Sequence, residues 1–155
     1  MCRDRRRHYD DGFMRVVADL IRGFAARSRD TTWSVSIDPA LDGADDTIEI
    51  TVYRVVQEGI TNALRHARPG RVEVSIRRRP RAGAGAWYRV RIADDGAGLA
   101  LGWSEGMGLT GMHERVESLG GRLRVHSRRS GGTLLLAMIP ELPSALDHLA
   151  ADERA

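Results

Sequence analysis

The chain has 155 residues, a net charge of +3 and one cysteine, Cys2. This length suits a single domain with a sizeable core, and one cysteine excludes an intrachain disulfide. No apolar run reaches about 18 residues and no charged-then-apolar leader is present, which argues against a membrane span or a secretory signal. All 24 basic residues are arginine, but they are dispersed beside 21 acidic residues, a pattern that disfavours nucleic-acid binding. We therefore expect a soluble, cytoplasmic protein.

The N-terminal part predicts an arm, a helix and a strand. Residues 1–12 form a basic arm without periodicity. A helix follows, with Asp10 or Asp11 available to cap its start. Its apolar residues keep helical spacing: Phe13, Val16, Val17, Leu20, Ile21 and Phe24. Residues 33–37 then alternate apolar side chains with serine, which predicts a short strand that ends at Pro39.

A central helix is predicted from Asp46 to Ala67, before Pro69 stops it. Asp46 and Glu49 have the spacing of a capping box at its start. Its apolar stripe consists of Val52, Val55, Val56, Ile60, Ala63, Leu64 and Ala67. Gly59 costs about 1 kcal/mol in mid-helix relative to alanine, so its presence suggests close approach by another element.

The second half predicts two hairpins separated by a helix. The predicted segments are a strand with inward residues at 72, 74 and 76, a loop over 80–86, a strand over 87–93, a helix from about 109 to 119, and strands over 122–127 and 133–139. Gly120 and Gly121 end the helix. The last strand, TLLLAMI, is apolar on both faces, as a central strand would be.

This order of elements predicts an α+β fold, a two-layer α/β sandwich with helices on one face of a mixed sheet. We expect the domain to span residues 13–140, with the arm before it and a tail over 141–155.

Three polar clusters carry the candidate chemistry. Glu58, Asn62 and His66 recur every four residues along one edge of the central helix, where they could hold a hydrated cation and its phosphates. The alternative is an ordinary polar helix flank.

Asp94 follows an inward-facing strand and precedes Gly96 and Gly98, so its carboxylate could accept a hydrogen bond from an exocyclic amine such as that of adenine. The alternative is an ordinary turn after a strand.

The third cluster is glycine-rich. Gly106 and Gly108 stand just before the helix near Leu109, whose free amides could bind phosphate. The alternative is a plain loop end. The run is neither a P-loop, since no GK[ST] is present, nor a dinucleotide-binding fingerprint, since it lies outside a strand-turn-helix unit with parallel strands.

Together the three clusters resemble the GHKL ATPases, which include gyrase, MutL and sensor histidine kinases. The matching motifs are E-x-x-x-N-A-x-x-H-A at 58–67, D-x-G-x-G at 94–98 and G-x-G-L at 106–109. Three longer segments are similar to those of sensor kinases that pair with LuxR-type response regulators. They are YRVVQEGITNALRHA, GMGLTGMHERVESLGGRLRVHS and the following GGT. The resemblance covers about residues 13–140 and implies a Bergerat fold that binds ATP and Mg²⁺ between its helices and sheet.

The resemblance also implies roles for single residues. It makes Asn62 a Mg²⁺ ligand, Glu58 the acidic residue that orients the cation or a water, and His66 a phosphate contact. Asp94 would bind the adenine amine in a pocket shaped by Gly96 and Gly98. The remaining implied nucleotide contacts are Gly106, Met107, Gly108 and Leu109, which would close over the phosphates, and Thr133, whose hydroxyl would support the adenine site. Only seven residues separate Gly98 from Gly106, so the ATP lid would be short.

The function implied is the ATP-binding catalytic domain of a two-component histidine kinase, with a LuxR-type response regulator as partner. The γ-phosphate would go to a histidine on a separate or missing dimerisation domain, because the only upstream candidate, His8, has no helical hairpin around it. The alternative is an ATP-dependent, anti-sigma-like protein switch or serine kinase, since such proteins share the same motifs.

Overall fold

The computed structural model describes residues 12–82, 85–100 and 106–141. The helices are α1 (Phe13–Arg27), α2 (Asp46–His66) and α3 (Met107–Ser118), and a 3-10 turn covers Pro39–Gly43. The strands are β1 (Thr32–Ile37), β2 (Arg71–Pro80), β3 (Ala86–Asp94), β4 (Arg122–Ser127) and β5 (Thr133–Pro140). The predicted arm up to residue 11 and residues 142–155 of the predicted tail lie outside the described residues, so the domain boundaries stay predictions.

The five strands form one mixed sheet in the order β1-β2-β3-β5-β4. The pair β1 and β2 is parallel, and the other three pairs are antiparallel. All three helices contribute to one core with the inward side chains of the sheet, including Val17, Val56, Val90 and Val116, all fully buried. The predicted α+β sandwich is therefore confirmed.

The N-terminal caps of α1 and α2 differ from the prediction. The N-cap of α2 is Asp45, whose carboxylate accepts a hydrogen bond from the Thr47 amide at 2.8 Å. The predicted capping box of Asp46 and Glu49 is wrong, because the helix begins one residue earlier than that pairing requires. The N-cap of α1 is Gly12, and Asp42 supplies a carboxylate oxygen to the Met14 amide at 2.5 Å. Asp10 and Asp11 lie outside the described residues.

Strand β5 lies between β3 and β4, so it is an interior strand as predicted. Its residues Leu135, Ala137 and Ile139 are buried beneath the helices, whereas Leu134, Leu136 and Met138 on the opposite face are only half-buried. The helices cover one face of the sheet, and no described element covers the other. None of the described helices combines the length and the apolar character of a membrane span.

Candidate functional site

A cavity of about 700 Å³ opens between α2, the end of β3, the start of β5 and the start of α3. Its volume falls in the range typical of small-molecule sites. Ten of the eleven predicted site residues line it: Glu58, Asn62, His66, Asp94, Gly98, Gly106, Met107, Gly108, Leu109 and Thr133. The eleventh, Gly96, does not line the cavity but packs against Ala67, which does.

Helix α2 forms one side of the cavity. Glu58, Asn62 and His66 face it from successive turns, and His66 is exposed at the mouth. The close approach expected at Gly59 is confirmed, because a Cβ there would lie 2.5 Å from the Ile92 side chain. The lack of a side chain at this position lets the helix lie near the sheet and brings its polar edge to the cavity.

Asp94 lines the cavity and is buried, with 3% of the residue exposed. Its Oδ1 atom accepts hydrogen bonds from the amides of Gly96 at 2.9 Å and Thr133 at 3.3 Å. Burial raises the pKa of this carboxyl, and the two amides and the Arg128 guanidinium partly offset that effect. Because both described hydrogen bonds reach Oδ1, Oδ2 is the oxygen left for a ligand.

Tight backbone packing holds Asp94 in place. Gly132 has a φ of 84°, and a Cβ there would overlap the Asp94 carbonyl. A Cβ on Gly96 would likewise overlap the Ala67 carbonyl. Thr133 supports the carboxylate through its main-chain amide, whereas the resemblance assigned that role to its hydroxyl. The hydroxyl role stays a prediction.

Sequence reasoning missed the apolar wall and one cation. Ile92, Val125 and Leu135 line the cavity around Asp94 and make a surface on which a flat, apolar ring can lie. Ile92 and Leu135 are cross-strand partners on β3 and β5.

Arg65, one residue before His66, also lines the cavity and brings a positive charge to its mouth. Its position seven residues after Glu58 on the same helix was the available signal.

The start of α3 forms the opposite wall. Leu109 and Thr110 donate the first hydrogen bonds of this helix, both to the Gly106 carbonyl, so the amides of Met107 and Gly108 lie outside the helical ladder. Free amides at a helix N-terminus suit an anion. A Cβ on Gly108 would overlap the Glu58 carboxylate, which shows how closely α3 approaches α2. Residues 101–105 of the predicted lid lie outside the described residues.

The donors fit a magnesium nucleotide better than a free metal ion. Among the described residues, no group of three or more His, Cys, Asp or Glu side chains could hold a metal. Glu58 and Asn62 offer one carboxylate and one amide. Mg²⁺ is commonly bound by one or two carboxylates, waters and substrate phosphates, so phosphates would complete its ligand set here.

The residues that line the cavity fall within a segment that matches a known protein family. Residues 47–143 match the family model described as histidine kinase-, DNA gyrase B-, and HSP90-like ATPase. The chain is 35% identical over 99 residues to the oxygen sensor histidine kinase NreB of Staphylococcus carnosus, a match that covers 62% of this chain and 27% of NreB. It is 30% identical over 110 residues to the methanol utilization control sensor protein MoxY of Paracoccus denitrificans, covering 68% of this chain and 24% of MoxY.

The match therefore spans about a quarter of the length of these two curated relatives. Among solved structures, the histidine kinase domain of the blue-light activated histidine kinase from Erythrobacter litoralis EL346 superposes with a TM-score of 0.62 at 23% identity. That match covers 84% of this chain and 61% of that domain, and it supports the fold.

Proposed function

The chain belongs to the histidine kinase-, DNA gyrase B-, and HSP90-like ATPase family, and we propose that it is the ATP-binding catalytic module of a two-component sensor histidine kinase. One observation carries the proposal. Asn62, Asp94 and Gly108 come from three separate segments of the chain and line one cavity of about 700 Å³. A magnesium nucleotide needs such a combination of a cation ligand, a base acceptor and a phosphate-binding helix start.

In this proposal each part of the cavity binds one part of the nucleotide. Asp94 accepts a hydrogen bond from the adenine amine, and Ile92 and Leu135 contact the base. The amides at the start of α3, together with His66, bind the phosphates. Asn62 and Glu58 hold the hydrated Mg²⁺ that neutralises phosphate charge.

The chemistry is phosphoryl transfer to an imidazole nitrogen, in which the γ-phosphorus forms a bond to nitrogen and its bond to the bridging oxygen breaks. In such reactions the protein contributes mainly positioning and electrostatic stabilisation. Glu58 and Asn62 orient the metal end, and Asp94 fixes the base end. We propose that the acceptor histidine lies on a dimerisation domain and that a LuxR-type response regulator receives the phosphoryl group, both in the cytoplasm. The histidine-kinase chemistry draws on the likeness to NreB, and the dimerisation domain and the LuxR-type partner draw on the motif resemblance in the sequence.

The test is phosphotransfer from γ-labelled ATP to an added histidine-bearing dimerisation hairpin. We expect an acid-labile label with the wild-type chain and loss of label with Asn62→Ala, because Asn62 faces the cavity. Thr61→Ala is the matched control, since the Thr61 hydroxyl donates to the Gln57 carbonyl within the helix. An acid-stable label on a partner serine would instead identify a serine kinase, and unchanged labelling of Asn62→Ala would refute the role of Asn62.

A further inference from the structure

The sheet face opposite the helices carries a concentrated basic surface. Side chains alternate across a strand, so the residues between buried positions on β2 to β5 point to this side. We call it the open face. Its described members are Arg71, Glu73, Ser75, Arg77, Arg79, Trp87, Arg89, Arg91, Ala93, Arg122, Arg124, His126, Leu134, Leu136, Met138 and Pro140.

Strand pairing arranges part of the open face into basic rows on both sides of an apolar stripe. Met138 pairs with Arg89 of β3 on one side and with Arg122 of β4 on the other. Leu136 pairs in the same way with Arg91 and Arg124. Each of these apolar side chains therefore has an arginine on both flanks.

The positive charge of the open face is poorly compensated. Among its described members, Glu73 is the only acidic side chain, and it lies 3.1 Å from both Arg71 and Arg91. Arg77 stands directly opposite Arg89 in the β2 and β3 register. Like charges in that position destabilise a sheet. Their presence is consistent with a role outside the fold, such as pairing with acidic groups of a partner.

A hollow of about 520 Å³ lies at the end of this stripe. Arg81, Trp87, Arg122, Met138 and Pro140 line it. The Arg81 guanidinium covers the Trp87 ring at 5.4 Å from its centroid. Trp, Met and Arg are enriched in the buried centres of protein interfaces, so the hollow suits a bulky side chain of a protein partner.

We propose that the open face docks an acidic amphipathic helix of a partner protein along β5. The two arginine rows are two strand spacings apart, about 10 Å, which matches the 10–12 Å diameter of a helix with its side chains. The apolar stripe of the helix contacts Leu136 and Met138, and acidic residues on its two flanks pair with the arginines of β3 and β4. Arginine suits this role because its planar fork binds carboxylates bidentately.

Two other polyanionic partners fit less well. Single-stranded nucleic acid is bound on aromatic platforms, whereas this face offers one aromatic ring among its described members, Trp87, which Arg81 already covers. A lipid surface would contact the arginines but not the half-buried apolar side chains that lie between them. A helix can contact both the arginines and the apolar side chains because it is narrow enough to lie between the two rows.

The experiment uses a synthetic probe, a stapled and fluorescein-labelled peptide of about 18 residues, or about 27 Å, close to the length of β5. It carries leucines at helical spacing with glutamates on both flanks. A second peptide has lysine in place of glutamate, and a third is scrambled. Anisotropy titrations with the full chain, at low and at higher salt, give the dissociation constants. We expect the acidic helix to bind, salt to weaken binding, and the lysine and scrambled peptides to bind at least about tenfold more weakly.

The decisive variant is Arg89→Glu with Arg124→Glu, which reverses one charge in each row. Neither arginine takes part in the ion pairs of the described residues. We therefore expect the fold and Mg-ATP affinity to be retained while peptide affinity falls at least about tenfold. Arg29→Glu, on the exposed turn between α1 and β1 and not a member of the open face, is the control for charge reversal and should bind the peptide normally. Equal binding of the acidic and scrambled peptides would overturn the proposal. So would arginine-dependent binding of anionic vesicles or of an oligonucleotide without binding of the acidic helix.

Discussion

Replacing Asp94 by asparagine tests the proposed site at the atom that would select adenine. The buried carboxylate has Oδ1 engaged by two backbone amides and Oδ2 left for the ligand. Asparagine can keep the first two contacts, but it then presents an NH₂ donor to the adenine NH₂ donor. Hydrogen bonds to charged groups contribute about 1.5–3 kcal/mol, so we expect a loss of about 2 kcal/mol, or about 30-fold in Kd.

The free energy of unfolding should not fall in Asp94→Asn, although nucleotide affinity does. Burial raises the pKa of Asp94 above its ordinary value, which means that at neutral pH the charged carboxylate is less favourable in the folded chain than in the unfolded one. The Asp94→Asn substitution removes that charge and keeps the acceptor for Gly96 and Thr133. We therefore expect an unfolding free energy that is unchanged or higher, which separates lost recognition from damage to the fold.

Calorimetric titration with Mg-ATP and Mg-ITP provides the assay. Inosine has a carbonyl where adenine has the amine, so the wild-type chain should prefer ATP and Asp94→Asn should lose that preference. Asp95→Asn is the matched control, because the Asp95 carboxylate accepts from the Arg71 amide at the surface. A change of less than about threefold, or equal losses for both nucleotides, would refute the placement of adenine at Asp94.

Three further predictions concern the metal, pH and the backbone. Asn62→Ala should weaken nucleotide binding in the presence of Mg²⁺ but not in its absence, as titration with and without a chelator would show. Burial, with nearby acids, raises the pKa of Glu49 from 4.5 to about 7. The unfolded chain therefore loses this proton at a lower pH than the folded chain, and the free energy of unfolding falls as the pH rises between those values. Glu49→Gln should then stabilise the chain by about 1 kcal/mol at pH 8 and not below pH 4.5, measured by urea unfolding; no gain at pH 8 would contradict this. Gly132→Ala should lower the free energy of unfolding by about 2–4 kcal/mol, and Gly131→Ala by only about 1 kcal/mol. Both glycines have a positive φ, but only a Cβ at 132 would overlap the Asp94 carbonyl. Equal losses in urea unfolding would exclude the clash.

Local sequence patterns predicted the parts of the site that short-range geometry determines. Glu58, Asn62 and His66 share a helix edge because they are four residues apart, and Asp94 is the last residue of β3, two positions after the inward Ile92. The apolar wall could not be found in this way. Ile92 and Leu135 look like ordinary inward strand residues, and they meet only because β5 pairs with β3 across more than 40 intervening residues.

The same limit applies to charge and to helix capping. In sequence the arginines appear dispersed, but the register places Arg91, Leu136 and Arg124 side by side on three strands. The cap of α1 comes from Asp42, which is 28 residues from the Met14 amide it accepts from. Neither arrangement follows from local periodicity, because both depend on long-range contacts that only the folded chain defines.

Strand β5 places two proposed binding surfaces back to back, with Leu135 in the nucleotide cavity and Leu136 on the open face. A ligand on one side and a partner on the other would thus be separated by the thickness of one polypeptide backbone. Binding linkage is reciprocal, so a partner that alters the twist of β5 and weakens ATP binding must itself be released by ATP by the same factor. Any such coupling between ATP and the partner, negative or positive, would pass through adjacent residues of a single strand.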